Sequence, residues 1–209
     1  MKISQTVCRF AASCAMGFCL AGCSILFPSK GITPRTFVLT PVPTGPEMPP
    51  VSTNLVVGIR QVKVPGYLST RSFAVRKDNN EIDYPESLQW AERLDGALQQ
   101  VLGEDLSALI PTDQVRYSMW DAEAVAVQID VNVARFDVDS QGEAVLVAWW
   151  RVLSPSGAVI SSGRFSGTRK GQSPQTNPGN AVFSMSRLTT DLAKKLAQEI
   201  KNARMPERE

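Results

Sequence analysis

The chain has 209 residues, of which 43% are hydrophobic and 20% charged, and none is histidine. Its 22 basic and 20 acidic residues nearly balance and form no Lys/Arg cluster, which argues against nucleic acid as a partner. Without histidine the chain cannot build a Ser-His-Asp or Cys-His nucleophile or most zinc sites, and it has no glycine-rich phosphate loop. We therefore predict a protein that is not an enzyme and holds no metal or cofactor. A catalytic carboxylate pair, as in glycosidases, is the remaining enzymatic alternative.

Residues 1–22 have the order of a secretory signal: positive charge, an apolar segment and then small residues. Their apolar run, 10–20, is too short to cross a hydrocarbon layer of roughly 30 Å. The run ends in Leu20-Ala21-Gly22-Cys23, which resembles the lipobox of bacterial lipoprotein signals. That resemblance implies cleavage before Cys23 and acylation of its sulfur and amine, and so a lipid anchor in a membrane. A plain secretory signal, with Cys23 left as a free thiol, is the alternative.

The residues around the cleavage site predict where the mature protein lies. The other three cysteines, Cys8, Cys14 and Cys19, fall within the signal, so the mature chain can form no internal disulfide. In lipoproteins of double-membrane bacteria, an Asp after the acylated Cys commonly retains the protein in the inner membrane. Ser24 stands there, which implies the outer membrane, facing the periplasm. We predict an acylated tether over 23–35, which spans at most roughly 40 Å when extended.

Residues 36–204 are predicted to form one domain, with 205–209 as a C-terminal tail. The prolines of 41–50 predict an extended loop, and Pro65-Gly66-Tyr67-Leu68 predicts a turn. Asp83 and Glu86 have capping-box spacing at the start of a helical pattern. The elements predicted for the first half are strands at 36–40 and 54–64, a hairpin of 72–76 with 81–83, and a helix at 85–109.

The second half is rich in strands joined by short turns, which predicts an antiparallel meander. The alternation of apolar residues changes parity near Ala134, which predicts a bulge. The segment 143–153 is apolar on both faces and is predicted to be a covered central strand. The adjacent Trp149 and Trp150 must point to opposite faces, so at most one belongs to the main core. The elements predicted here are strands at 114–117, 125–138, 143–153 and 159–165, and an amphipathic helix at 180–204.

Together these elements predict an α+β fold in which an antiparallel sheet is packed by two amphipathic helices. The acidic residues lie on helix faces or in polar turns such as 137–143, and a solvated position is expected for them.

Several short segments together resemble one family of lipoproteins. They are 37–41 for a first strand, 57–59 leading into 64–68, Arg71 and Arg76 beyond that turn, and 90–94 opening the first helix. With the lipobox, they resemble the auxiliary lipoprotein of ABC-type transporters, the PqiC type. That family belongs to systems in which MCE (mammalian cell entry) proteins bridge the periplasm and move phospholipids between the two membranes. The resemblance implies an outer-membrane component whose partners are an MCE-domain protein and transporter subunits.

Phospholipid and further copies of the chain are additional candidate partners. The alternative function is an envelope regulator or assembly lipoprotein that docks on a cell-wall synthase or an outer-membrane barrel. Both functions need the same architecture, an acylated α+β domain on a short tether. The two are separated by the identity of the partner and by whether the protein carries phospholipid.

The residues that carry the resemblance are the candidate contacts with partner or lipid. For Tyr67 and Leu68, burial in the core at a strand end is an equally good alternative. Trp90 is predicted on the first turn of a helix. For this residue, packing on the sheet is favoured over contact with a partner. For Arg71 and Arg76, the alternative is a bond to carboxylates or backbone carbonyls within the fold. The full set of candidate contact residues is Pro65, Gly66, Tyr67, Leu68, Arg71 and Trp90.

Overall fold

A computed structural model describes residues 32–41, 55–110 and 114–204. By its internal contacts the chain divides into two units, 1–32 and 33–209, and apart from Ile32 the described structure belongs to the second. The signal, the lipobox with Cys23, most of the tether and the tail at 205–209 lie outside the described residues. The lipid anchor, the tether and the C-terminal tail therefore stay predictions.

Nine strands and two α-helices occur in the described parts of the chain. The strands are β1 (Arg35–Phe37), β2 (Val57–Ile59), β3 (Val75–Arg76), β4 (Ile82–Asp83), β5 (Leu88–Trp90), β6 (Val115–Arg116), β7 (Val127–Asp139), β8 (Glu143–Leu153) and β9 (Val159–Lys170). The helices are α1 (Leu94–Leu109) and α2 (Pro178–Arg204). Short 3-10 turns lie at Gly66–Leu68 and Ala122–Ala124.

The main sheet is built around the long strand β7. On one edge β7 pairs with β8, and β8 with β9, as an antiparallel meander. On the other edge β2 runs parallel to the start of β7 and β3 parallel to its end, with β6 beside β2 and β4 beside β3. Strands β1 and β5 form a separate parallel pair. The α+β class with two helices is confirmed, but the main sheet is mixed, because the long connection through α1 lets β2 lie parallel to β7.

The first helix is shorter than predicted. It begins at Leu94 instead of 85, and Arg93 precedes it with no side-chain cap, so the predicted capping pair was wrong. Residues 88–90 form β5 instead, where burial alternates and each residue pairs with one of β1. Pairing with a strand some 50 residues away in the chain has thus overridden a local helical pattern.

The meander carries most of the core. The predicted bulge is confirmed by a register shift between Val133 and Arg135. Strand β8 is central, as predicted, but only one of its faces is covered. Trp150 on that face is 3% exposed, whereas Trp149 on the other is 52% exposed. The covered face of β8 consists of Ala144, Leu146, Ala148, Trp150 and Val152.

Helix α2 lies over the covered face of the meander. Its start is capped by Asn177, whose Oδ1 accepts from the Asn180 N–H at 3.2 Å. Its apolar stripe is buried as predicted, with Met185, Leu188, Leu192, Leu196 and Ile200 all at most 2% exposed. The two helices are joined by the Thr190 hydroxyl, which donates to Asp105 Oδ2 at 2.8 Å. Asp105 is 3% exposed, so the expectation that acidic residues on helix faces are solvated is wrong there.

The tight turn between β7 and β8 depends on Gly142. Its φ is +88°, and an added Cβ would lie 2.4 Å from the backbone carbonyl carbon of Gln172. We expect Gly142→Ala to lower the free energy of unfolding by about 3 kcal/mol, because a left-handed residue costs about 1 to 2 kcal/mol and the backbone contact adds to that. Gly157 is the matched control: its φ is +85°, but nothing lies within 4 Å of an added Cβ. Gly157→Ala should cost only about 1 kcal/mol in the same denaturant titration, and equal losses would contradict the contribution of the Gln172 contact.

Candidate interaction surface

The face of the meander opposite α2 is open, and we call it the outer face. Directly opposed residues of antiparallel strands point to the same side of a sheet. The register aligns Asn132, Trp149 and Arg164 across β7, β8 and β9, and Asp130, Arg151 and Ser162 in the next row. The alternate residues of β9 bind the helix on the other side, as shown by the Ser161 hydroxyl, which donates to Glu199 Oε2 at 2.8 Å.

At one end of the outer face, a fully buried carboxylate is held by three side chains, which we call the Asp137 network. Asp137 is 0% exposed. Arg76 donates to its Oδ2 from Nη2 at 2.8 Å and to its Oδ1 from Nε at 3.1 Å. Arg135 donates to Oδ1 from Nε at 2.9 Å, and the Tyr67 hydroxyl donates to Oδ2 at 2.9 Å. The carboxylate is therefore satisfied by two guanidinium groups and a phenol, which offset the cost of burying it.

Local structure explains how the network assembles. Beyond the bulge, Arg135 and Asp137 are two residues apart on β7 and so share the outer face. Strand β3 runs beside the end of β7 and brings Arg76 to the carboxylate. The 3-10 turn at Gly66–Leu68 supplies Tyr67, whose carbonyl accepts from the Tyr84 hydroxyl at 3.2 Å.

The structure separates the predicted contact residues into buried and accessible ones. Leu68 is 2% exposed and Trp90 is 3% exposed, which favours the packing alternative for both. Trp90 lies in β5, so its predicted place on a helix was wrong, and its ring stacks on Phe73 with centroids 4.9 Å apart. Gly66 and Arg71 are exposed, and Pro65 and Tyr67 are half-buried.

Arg71 and Arg76 form hydrogen bonds within the fold, which is the alternative given for them from the sequence. Arg71 Nε donates to the Trp90 carbonyl at 3.2 Å, and Arg76 joins the Asp137 network. Sequence analysis missed Asp137 itself, because it was assigned to a solvated turn and that assignment is wrong. The available signal was the spacing of Arg135 and Asp137, opposite charges two residues apart in a strand-forming stretch.

The Asp137 network gives Tyr67 a distinctive pH response. Burial, followed by the nearby Asp137 charge and the hydrogen bond to it, raises the pKa of Tyr67 from 10.0 to about 12. Between these two pH values the folded protein keeps the phenol proton, whereas the unfolded chain loses it. The stability that the protonated Tyr67 contributes is therefore complete below pH 10 and disappears as the pH rises through about 12. We expect Tyr67→Phe to be less stable by about 1 kcal/mol at pH 9. The difference should shrink by pH 11.5 in denaturant unfolding at both values, and a constant difference would contradict this role.

At the other end of the outer face lies an open cleft of about 490 Å³, which we call the Trp149 cleft. The Arg164 guanidinium carbon lies 5.7 Å from the centroid of the Trp149 ring. Arg151 pairs with Asp130, its Nε donating to Oδ2 at 3.0 Å. The residues that line the cleft include Lys63, Asp130, Asn132, Trp149, Arg151, Ser162 and Arg164.

Two further features of the described residues bear on function. Within 32–41, 55–110 and 114–204, no three His, Cys, Asp or Glu side chains are grouped so that they could hold a metal ion. In the same ranges, no helix has both the length and the apolar character that a membrane span requires.

Comparison with known proteins assigns the family. The model of the ABC-type transport auxiliary lipoprotein component matches residues 37–197, most of the chain. The chain belongs to this family. The match begins at Phe37 in β1 and ends in α2, so it includes both the Asp137 network and the Trp149 cleft. The suspected resemblance is therefore confirmed.

Solved structures of similar fold agree with this architecture. An uncharacterised protein superposes with a TM-score of 0.67 at 20% identity, over 80% of this chain and 99% of that one. Protein XCC0632 from Xanthomonas campestris gives a TM-score of 0.60 at 16% identity, over 81% of this chain and 93% of that one. At these identities the likeness concerns the fold alone. No curated protein sequence matches the chain.

Proposed function

We propose that this protein is a non-catalytic, lipid-anchored component of an MCE-type intermembrane lipid transport system, facing the periplasm from the outer membrane. The observation that carries the proposal is the match of 37–197 to the ABC-type transport auxiliary lipoproteins. The lipobox at Leu20-Ala21-Gly22-Cys23 supports an anchor at Cys23, and Ser24 supports the outer membrane as its location. In this role, the protein holds the end of an MCE assembly at the membrane.

The interior of the fold supports tethering in preference to lipid carriage. A lipid carrier needs an apolar cavity that can accept acyl chains. The space between the meander and α2 is instead filled by fully buried side chains, including Leu146, Leu192 and Ile200, each 0% exposed. The described surfaces open to a partner include the outer face, with the accessible Gly66 and Arg71 beyond the Asp137 network.

Self-association would suit such a tether. Several acylated copies in one assembly would increase both residence on the membrane and avidity for the partner, without any new contact between protein and partner. Crosslinking the intact protein in its membrane, followed by mass measurement of the products, determines whether copies associate and how many.

The proposed function is tested by purifying the acylated protein from its own membranes under mild detergent and identifying the proteins that accompany it. We expect an MCE-domain protein to be enriched relative to a mock purification. When Cys23→Ala removes the anchor, the MCE-domain protein should no longer accompany the purified protein. If a cell-wall synthase or a barrel protein is enriched and no MCE protein is, the transport role is wrong and the regulator alternative replaces it.

A further inference from the structure

We propose that the Trp149 cleft is the docking site for an acidic polypeptide segment of the partner protein. This inference rests on the proposed function only in requiring an envelope partner. It assigns the contact to the outer face of the meander and to particular side chains, of which all but Lys63 are far in sequence from the residues whose motifs indicated the family.

The charge of the cleft is the first argument. Three cations, Lys63, Arg151 and Arg164, stand against the single carboxylate of Asp130, which is already paired with Arg151. Within the described part of the chain, neither Lys63 nor Arg164 forms an ion pair. The cleft thus offers two uncommitted positive charges, which complement an anionic ligand.

The arrangement of Arg164 is the second argument. Its guanidinium lies over the Trp149 ring, and contact with an aromatic face leaves the N–H edge of a guanidinium free to donate. That edge matches a carboxylate in a bidentate geometry. The Asn132 amide on β7 and the Ser162 hydroxyl on β9, the strand of Arg164, add uncharged donors in the same cleft.

The shape of the cleft favours a polypeptide over a lipid. The cleft is open to solvent, and the apolar surface of its tryptophan is surrounded by charged and polar side chains. Acyl chains would therefore not be enclosed in it. Tryptophan and arginine are the residue types that dominate the energetics of protein interfaces. A 52% exposed tryptophan beside an arginine that forms no ion pair with any described residue has the composition of such an interface centre.

The fold supplies a matched control on its opposite side. On α2, the Arg187 guanidinium carbon lies 5.9 Å from the centroid of the Phe183 ring, and Phe183 is 47% exposed. This pair has the same chemistry and a similar exposure, but it is not part of the Trp149 cleft. Variants of Arg187 and Phe183 show how far the crosslink yield changes when any exposed arginine–aromatic pair is lost.

The test uses the full-length acylated protein in its own membrane, with a photoreactive residue at Ser162. After irradiation, the crosslinked peptides are identified by mass spectrometry. The crosslink yield is then compared among Arg164→Glu, Trp149→Ala, Arg187→Glu and Phe183→Ala. We expect an adduct to a peptide rich in Asp and Glu, whose yield falls about tenfold in each cleft variant and less than twofold in each control. Arg164→Lys, which keeps the charge, should retain more of the yield than Arg164→Glu.

Several other outcomes would overturn the inference. Adducts to phospholipid alone, a crosslinked peptide without acidic residues, or equal losses in the cleft and control variants would each contradict it. Unfolding midpoints of the five variants identify any loss that is due to misfolding. An acidic segment of a protein other than an MCE protein would support the inference and refute the proposed function. If an MCE protein still copurifies undiminished with both cleft variants, the function stands and the inference fails.

Discussion

Arg76→Leu is expected to lower the free energy of unfolding by about 3 kcal/mol, because it leaves a buried carboxylate without its main cation. Asp137 is 0% exposed and receives three hydrogen bonds from Arg76, at 2.8 to 3.2 Å. Arg135 and Tyr67 remain in the variant, so the expected loss is at the lower end of the range for broken buried pairs. The prediction is checked by denaturant unfolding of the purified variant.

A double-mutant cycle separates this interaction from a general loss of packing. In the Arg76→Leu background, Asp137→Asn should cost clearly less than in the wild type, since the charge it removes has already lost its main cation. Arg93→Leu is the exposed control, because Arg93 is 59% exposed and pairs with Asp95 at 3.0 Å. Surface pairs are worth about 0 to 1 kcal/mol, so this control should change little. Additive costs in the cycle would mean that Arg76 stabilises the fold by something other than its contact with Asp137.

Cys23→Ala is expected to move the protein from the membrane fraction to the soluble periplasmic fraction. Each buried methylene contributes about 0.8 kcal/mol and stable anchoring takes two lipid chains, so a triacylated Cys23 would hold the protein in its membrane almost permanently. The measurement is metabolic labelling with a palmitate analogue, followed by density separation of the two membranes. The wild type should carry the label and sediment with the outer membrane. Label retained by Cys23→Ala, or a wild type in the inner membrane, would contradict the anchor or its location.

The elements with strong local periodicity were predictable from the sequence. The meander follows from alternation and short turns, and the bulge near Ala134 from a change in parity that the register confirms. Helix α2 follows from an apolar stripe at three- and four-residue steps. In each case the signal lies within the element itself, so distant partners do not alter it.

The elements that depend on distant partners were not predictable. Strand β5 exists because it pairs with β1, and the parallel neighbours of β7 come from segments on the far side of α1. Asp137 is buried because Arg76, 61 residues earlier, reaches it. Parity alone shows that Trp149 and Trp150 face opposite ways, but only the position of α2 determines which of them is exposed.

The candidate site was predicted in part for the same reason. The turn containing Tyr67 and the residue Arg76 were singled out from their motifs, with a carboxylate bond of Arg76 within the fold as one alternative. The structure joins them through Asp137. The Trp149 cleft has no sequence motif, because its charges come from four separate segments that meet only when the sheet forms. A surface assembled by tertiary structure leaves no local pattern.

The most direct test of the central claim is in-cell crosslinking from an accessible position outside the Asp137 network. A photoreactive residue at Arg71, which is exposed at the edge of the family motif, leaves the Asp137 network intact. Irradiation of living cells, followed by mass spectrometry of the adducts, should identify an MCE-domain protein. Adducts only to a cell-wall synthase or an outer-membrane barrel would contradict the transport account.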